Sequence, residues 1–224
     1  MIHYRLINIA LLVMIQLNKE NIVTIGSETH SEATLYWFHG YGANNWSFEP
    51  SMKMLNLLLD DRLFIVIPNA PEENGKRSWY PLPNIGINQE IEEDFDGLRN
   101  AQHGVQKLID NYKNQKKIFV GGFSQGAALA LSYIFENLSK IDGCIALSGY
   151  MPNAKDYASK EIQQSEIFIA HGTEDLTIRF ESFEQTKKFL LEKTELITEY
   201  TGDFGHTITK SVTNEMTKWI SNKL

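Results

Sequence analysis

Lys117-Ile118-Phe119-Val120-Gly121-Gly122-Phe123-Ser124-Gln125-Gly126-Ala127-Ala128-Leu129-Ala130 says more about this 224-residue chain than any other stretch. Its opening, Lys117–Gly121, is short, apolar and partly β-branched, and reads as a buried strand. From Ala127 to Phe135 good helix formers follow one another without a breaker. Between the two lies Gly122-Phe123-Ser124-Gln125-Gly126. A serine on so sharp a strand-to-helix turn is held in a strained backbone conformation with its hydroxyl exposed. The flanking glycines are needed because strand and helix backbones pass too close there for a Cβ. Ser124 is therefore the candidate nucleophile, and the alternative is a purely structural turn.

Working outward, further apolar runs read as strands at Ile22–Ile25, Ala33–Phe38, Leu63–Ile67, Asp142–Leu147, Glu166–Ala170 and Leu196–Tyr200. Amphipathic stretches separate most of them. The clearest spans about Gln89–Tyr112, with Ile91, Phe95, Leu98, Val105, Leu108, Ile109 and Tyr112 on one face. The last helix carries Ile208, Val212, Met216, Trp219 and Ile220 on one stripe. Strands alternating with helices imply an α/β fold, a mostly parallel central sheet with helices on both faces. In such sheets ligands bind beyond the carboxyl ends of the strands. One domain over 21–224 accounts for the chain, with residues 1–20 as an N-terminal extension or strand that is dispensable.

A serine hydroxyl needs a general base, and a histidine base needs a carboxylate to fix its tautomer. On this architecture the partners follow in the order serine, acid, histidine. His3, His30, His39 and His103 precede Ser124. His171 opens the loop after the Glu166–Ala170 strand, and Asp175 in that loop is the acid best placed for a later histidine. His206, before the last helix, is the only histidine that follows it. The expected triad is Ser124, Asp175 and His206, with Glu174 and Asp203 as rival acids. Asp175 acting merely as a helix cap is the structural alternative. The oxyanion is expected to meet the backbone N–H of Gln125 and, from the loop Phe38-His39-Gly40-Tyr41-Gly42-Ala43, that of Tyr41. His39 is expected to be a buried residue shaping that loop.

A net charge of −7 argues against nucleic acid as a partner. Cys144 is the only cysteine and lies in an apolar run, so it forms no intrachain disulfide and points to a reducing, cytoplasmic setting. Leu6–Leu17 is mostly apolar but too short to span a bilayer, leaving export or anchoring through residues 1–17 as the minority reading. No metal-ligand spacing and no phosphate-cradling motif is present, so no cofactor is called for.

With these residues in hand, the chain resembles the phospholipase/carboxylesterase family of α/β-hydrolases, which includes the acyl-protein thioesterases. The resemblance is carried by Phe38–Asn44, Pro68-Asn69-Ala70-Pro71, Ser78-Trp79-Tyr80, Gly122–Ala130, Ala146–Tyr150, His171–Asp175 and Gly205–Ile208. It implies the same triad and the same two oxyanion donors. Where the family usually has Val-Pro after the acid, this chain has Thr177-Ile178-Arg179-Phe180. The expected activity is cleavage of small-molecule or lipid esters or thioesters with short-to-medium acyl chains. Trp46, Trp79, Tyr80 and Leu82 are the expected substrate contacts, with Ile85, Ile87, Tyr41 and Phe48 nearby. A peptidase or acyltransferase with the same triad is the alternative within enzymes, and a non-catalytic binding protein that kept the fold is the alternative outside them. A homodimer is compatible with the sequence.

Overall fold

Alternation along the strands decides which helices each side chain meets. Described by a computed structural model over residues 21–85, 91–112, 116–136, 138–162 and 165–224, the chain builds one seven-stranded sheet. Its strands are β1 (Ile22–Ile25), β2 (Ala33–Phe38), β3 (Leu63–Pro68), β4 (Ile118–Phe123), β5 (Gly143–Leu147), β6 (Glu166–Gly172) and β7 (Ile197–Gly202). They are ordered β1-β3-β2-β4-β5-β6-β7, and every pairing is parallel except that of β1 with β3. Among the described residues five α-helices accompany them: α1 (Asn45–Leu58), α2 (Phe95–Asp110), α3 (Gln125–Tyr133), α4 (Phe180–Leu191) and α5 (Lys210–Ser221).

In β2, Leu35 and Trp37 join Met52 and Leu55 of α1 and Val212, Met216 and Trp219 of α5 in one apolar cluster. Tyr36 and Phe38 point to the other face and join Leu98, Val105 and Leu108 of α2, Leu129 of α3 and Phe183 of α4. This two-residue period, with both faces covered, is why the central strands read as unbroken apolar runs. Burying a Leu or Phe side chain contributes about 2 kcal/mol, so the two clusters hold most of the fold.

Four boundaries, three strand ends and one helix start, differ from the sequence expectation in informative ways. The carboxyl ends of β4, β6 and β7 run two residues further than expected, through Gly121 and Gly122 in β4 and to Gly172 and Gly202 at the others. In β4 glycine serves close packing inside the ladder, and in β6 and β7 it is the last paired residue. The long helix expected from Gln89 instead starts at Phe95. Ile91–Glu92 pairs with Asn84–Ile85 as a short antiparallel ladder, so Ile91 does not belong to the helical face. The cause is Asp94, whose carboxylate accepts from Gly97 N–H at 2.8 Å and caps the helix. Gln89 and Glu90, like Ile87 and residues 1–20, lie outside the described residues. Another short ladder, Glu72–Glu73 with Lys76–Arg77, turns through Asn74-Gly75, both at positive φ. Among the described residues no helix is long and apolar enough to cross a membrane.

The path from β2 through α1 goes one way along the sheet, to β3. The path from β3 through α2 returns past β2 to β4. That reversal lies between β2 and β4, where such sheets open a crevice at their carboxyl edge.

Candidate active site

Ser124 stands at that crevice, one residue beyond β4 and one before α3, with φ 57° and ψ −119°. Such a conformation is strained for a residue with a Cβ and persists only where its surroundings fix it. Its N–H donates to Leu147 O of β5 at 2.9 Å. The neighbouring glycines are sterically obligatory. A Cβ on Gly126 would lie 2.0 Å from Phe38 O, and one on Gly122 would lie 2.5 Å from the same oxygen. The elbow is thus pressed onto the end of β2, which delivers the next loop directly against it.

In that loop, Ala43 N–H donates to Gly40 O at 3.1 Å, closing a turn with Tyr41 and Gly42 at its corners. Gly42 has φ +73°, the value a type II turn requires at its third position. A Cβ on Gly40 would sit 3.3 Å from Ser124 Cβ, so the turn abuts the elbow. From the other side Gly42 N–H donates to Arg77 O at 2.8 Å, which makes the Asn74-Gly75 hairpin its buttress. Gln125 is the first residue of α3, so its N–H has no acceptor within the helix.

His39 shapes this loop as expected. It is fully buried, its Nδ1–H donates to Gly40 O at 2.8 Å, and its Nε2 accepts from Ala70 N–H at 3.0 Å. Burial pushes its pKa down to about 4, so the ring is neutral. Trp79 packs 4.9 Å from it, ring to ring, and donates its indole N–H to His39 O at 2.7 Å.

Asp175 and His206 come together. His206 Nδ1 lies 2.7 Å from Asp175 Oδ2. A carboxylate only accepts, so Nδ1 carries the hydrogen, and in the neutral ring the lone pair is then on Nε2. Asp175 Oδ1 accepts from Thr177 N–H at 2.8 Å and Ile178 N–H at 2.9 Å. Asp175 therefore does not cap the next helix, which starts at Phe180 with Arg179 at its N-cap; one carboxylate oxygen holds the turn before that helix and the other meets His206. Of the rival acids, Asp203 accepts from Thr173 Oγ1 at 3.1 Å, and Glu174 is exposed. The loops carrying Asp175 and His206 are laced together by Thr173 N–H to Gly202 O at 2.9 Å and Glu174 N–H to Phe204 O at 3.1 Å. His206 tilts against Phe123, the residue before Ser124, with ring centroids 4.7 Å apart. Among the described residues no hydrogen bond joins the Ser124 hydroxyl to His206; in unliganded sites that bond is commonly long and tightens with substrate.

The expected substrate contacts divide into two sets. Trp79 and Tyr80 are buried, packed beneath the crevice. The Gln125 side chain holds them: its Oε1 accepts from Trp79 N–H at 3.1 Å and its Nε2 donates to Tyr80 O at 2.7 Å. Trp46, 68% exposed, and Leu82 belong instead to the outer surface. Ile87 lies outside the described residues. One residue, Leu176, and one contact, that of His171 with Asp175, are not read from the sequence. Leu176, 92% exposed, follows the acid directly on the carboxyl edge, a signal available in its apolar character within a polar loop. His171 lies 3.3 Å from Asp175 Oδ2 through its Nε2, and the i, i+4 spacing to Asp175 was the clue. Cys144 is buried in β5, and burial pushes its thiol pKa up, away from reactivity.

A mostly parallel sheet with helices on both faces and a serine elbow at its carboxyl edge is an α/β-hydrolase. Solved structures share the fold: Zea mays acyl-protein thioesterase 2 has a TM-score of 0.77 at 20% identity, over 90% of this chain and 97% of that one. The Bacillus cereus carboxylesterase has a TM-score of 0.74 at 21% identity, over 90% and 93%. The family model described as Phospholipase/Carboxylesterase matches residues 19–224, and the chain belongs to that family of ester-cleaving hydrolases. Acyl-protein thioesterase 1 of Debaryomyces hansenii is 31% identical over 177 residues, 70% of this chain and 76% of that protein. Carboxylesterase SOBER1 of Arabidopsis thaliana is 26% identical over 206 residues, 85% and 90%.

Proposed function

We propose that this hydrolase cleaves carboxylic esters or thioesters of short-to-medium acyl chains through an acyl-enzyme on Ser124. Ser124 Oγ attacks the acyl carbonyl carbon while His206 Nε2 takes the hydroxyl proton. His206, now charged, is stabilised through Nδ1–H by Asp175. The carbonyl oxygen becomes an oxyanion and accepts from the N–H groups of Tyr41 and Gln125, each such donor contributing about 3 kcal/mol. Collapse expels the alcohol or thiol, which takes the proton back from His206. Water repeats the sequence and frees the acid. The observation that carries this reading is the 2.7 Å bond from His206 to Asp175, made by a ring packed against the neighbour of a strained serine.

The acyl preference is supported by the apolar rim: Tyr41, Trp46, Leu82 and Leu176 are exposed on loops or helix ends at the carboxyl edge of the sheet. The buried and unpaired Cys144 is in keeping with a reducing compartment, the cytoplasm. A panel of p-nitrophenyl esters and matching thioesters tests the reading. Each methylene buried contributes about 0.8 kcal/mol, so kcat/KM rises about fourfold per carbon from acetyl toward octanoyl until the groove ends. Flat rates along the series would remove the acyl groove. No turnover of any ester or thioester would remove the function.

A further inference from the structure

We infer that His171 is a positioning residue for the acid of the triad: it fixes the turn that carries Asp175 and braces the oxygen on which His206 depends. This rests on the triad reading given above.

His171 is the penultimate residue of β6 and is fully buried. Its Nε2 lies 2.8 Å from Ile178 O and 3.3 Å from Asp175 Oδ2. A carbonyl oxygen only accepts, so Nε2 carries the hydrogen. Nδ1 is buried without a hydrogen-bond partner. Phe180 and Phe183 wall the ring, with centroids 6.2 and 5.4 Å away. A second proton there would leave a charged N–H buried without an acceptor, and burial accordingly pulls the pKa down. The ring is neutral and its tautomer fixed.

This arrangement grips Ile178 at both ends of its backbone: its N–H donates to Asp175 Oδ1 at 2.9 Å, and its C=O accepts from His171 at 2.8 Å. The turn Leu176-Thr177-Ile178-Arg179 contains neither glycine nor proline, so no restricted residue sets its shape. Side-chain bonds must do so. Asp175 Oδ2 meets two imidazoles, His206 at 2.7 Å and His171 at 3.3 Å, so His171 limits the carboxylate's rotation at the same oxygen that His206 uses. Plain packing would not select histidine here. A ring with one unsatisfied buried nitrogen is less stable in an aromatic pocket than phenylalanine or leucine would be.

A double-substitution cycle in the full-length protein tests this, with kcat and KM read on one p-nitrophenyl ester, melting followed by circular dichroism, and the far-downfield imidazole proton read by NMR. His171→Phe is expected to lower kcat about ten- to hundredfold, the range for groups that orient a catalytic ligand from behind, with KM changed less than about threefold. The downfield His206 Nδ1 proton should broaden or move upfield. His171→Gln, which keeps a donor near the Nε2 position, should recover most of both. In an Asp175→Asn background His171→Phe should lower kcat less than about threefold, because no oriented carboxylate remains to lose. Equal losses in the two backgrounds, or an unmoved resonance with unchanged kcat, would overturn the inference. Should His171→Phe fail to fold, His171→Asn, too short to reach Ile178 O, carries the same cycle. Failure of the triad itself would look different: Asp175→Asn alone would leave kcat near the wild type, and both readings would fall.

Discussion

Around Ser124 the backbone does the positioning, whereas the neighbouring segment Ser78–Tyr80 is held largely by side-chain hydrogen bonds, most of them to Gln125. At the elbow, Gly122 and Gly126 allow β4 and α3 to touch the end of β2, and Ser124 is forced to positive φ by chain geometry. At residues 78–80, Gln125 supplies the hold, bonding Trp79 N–H, Tyr80 O and, at 3.0 Å, Ser78 Oγ. The first arrangement tolerates no change and specifies chemistry. The second can be retuned by single substitutions. The acid turn at Asp175 resembles the second kind, since it is assembled from side-chain hydrogen bonds.

Breaking the acid turn should have the largest effect. Asp175→Asn keeps the volume but favours the wrong histidine tautomer, and kcat should fall by about three to four orders of magnitude. Asp203→Asn loses only a bond to Thr173 and should stay within about threefold in the same steady-state assay. If the Asp203 variant were the crippled one, the acid would be misassigned.

The frame behind the elbow can be probed through pH. His39 has its folded pKa pushed down to about 4 from an ordinary 6.5. Between those values the unfolded chain binds a proton that the folded chain refuses. The contribution is therefore complete above about pH 6.5 and declines by up to about 3 kcal/mol as pH falls to 4. Urea unfolding at several pH values should show this slope, reduced in His39→Gln. His171, also held low by burial, acts in the same direction and keeps some of the slope. An unchanged slope in His39→Gln would mean that the ring is not held neutral.

The smallest effect should come from the retunable segment. Gln125→Ala leaves the backbone N–H of residue 125 in place but removes the side-chain bonds to Ser78, Trp79 and Tyr80. We expect KM to rise about tenfold, kcat to change little, and stability to drop by about 1–2 kcal/mol, measured by steady-state kinetics and melting. A fall in kcat with constant KM would place Gln125's side chain in the chemistry and not in the segment's support.

How much of this was legible in sequence follows the same division. The strands, the elbow and the order of Ser124, Asp175 and His206 could be read, because apolar runs and obligatory glycines leave local traces. The start of α2 was misplaced by six residues, from Gln89 to Phe95, since Asp94 as a cap outweighed the helical period of Ile91. The Asn74-Gly75 hairpin carried a recognisable turn signal, yet its task of bracing Gly42 depends on a contact thirty-five positions away. His171 could be seen in the sequence, but its bond to Ile178 O depends on how the turn after β6 folds back. The burial of Trp79 and Tyr80 and the exposure of Trp46 and Leu82 are likewise products of tertiary packing, which aromatic composition alone does not divide.

Labelling with a fluorophosphonate, followed by peptide mass spectrometry, bears most directly on the central claim that Ser124 is an activated nucleophile. One adduct per chain is expected, on the peptide containing Ser124. It should be absent in Ser124→Ala, which should also lose about three to six orders of magnitude in kcat/KM while melting normally. Labelling of His206→Ala should be slower by orders of magnitude. An adduct on a different residue, or labelling of Ser124 at an undiminished rate without His206, would contradict the account.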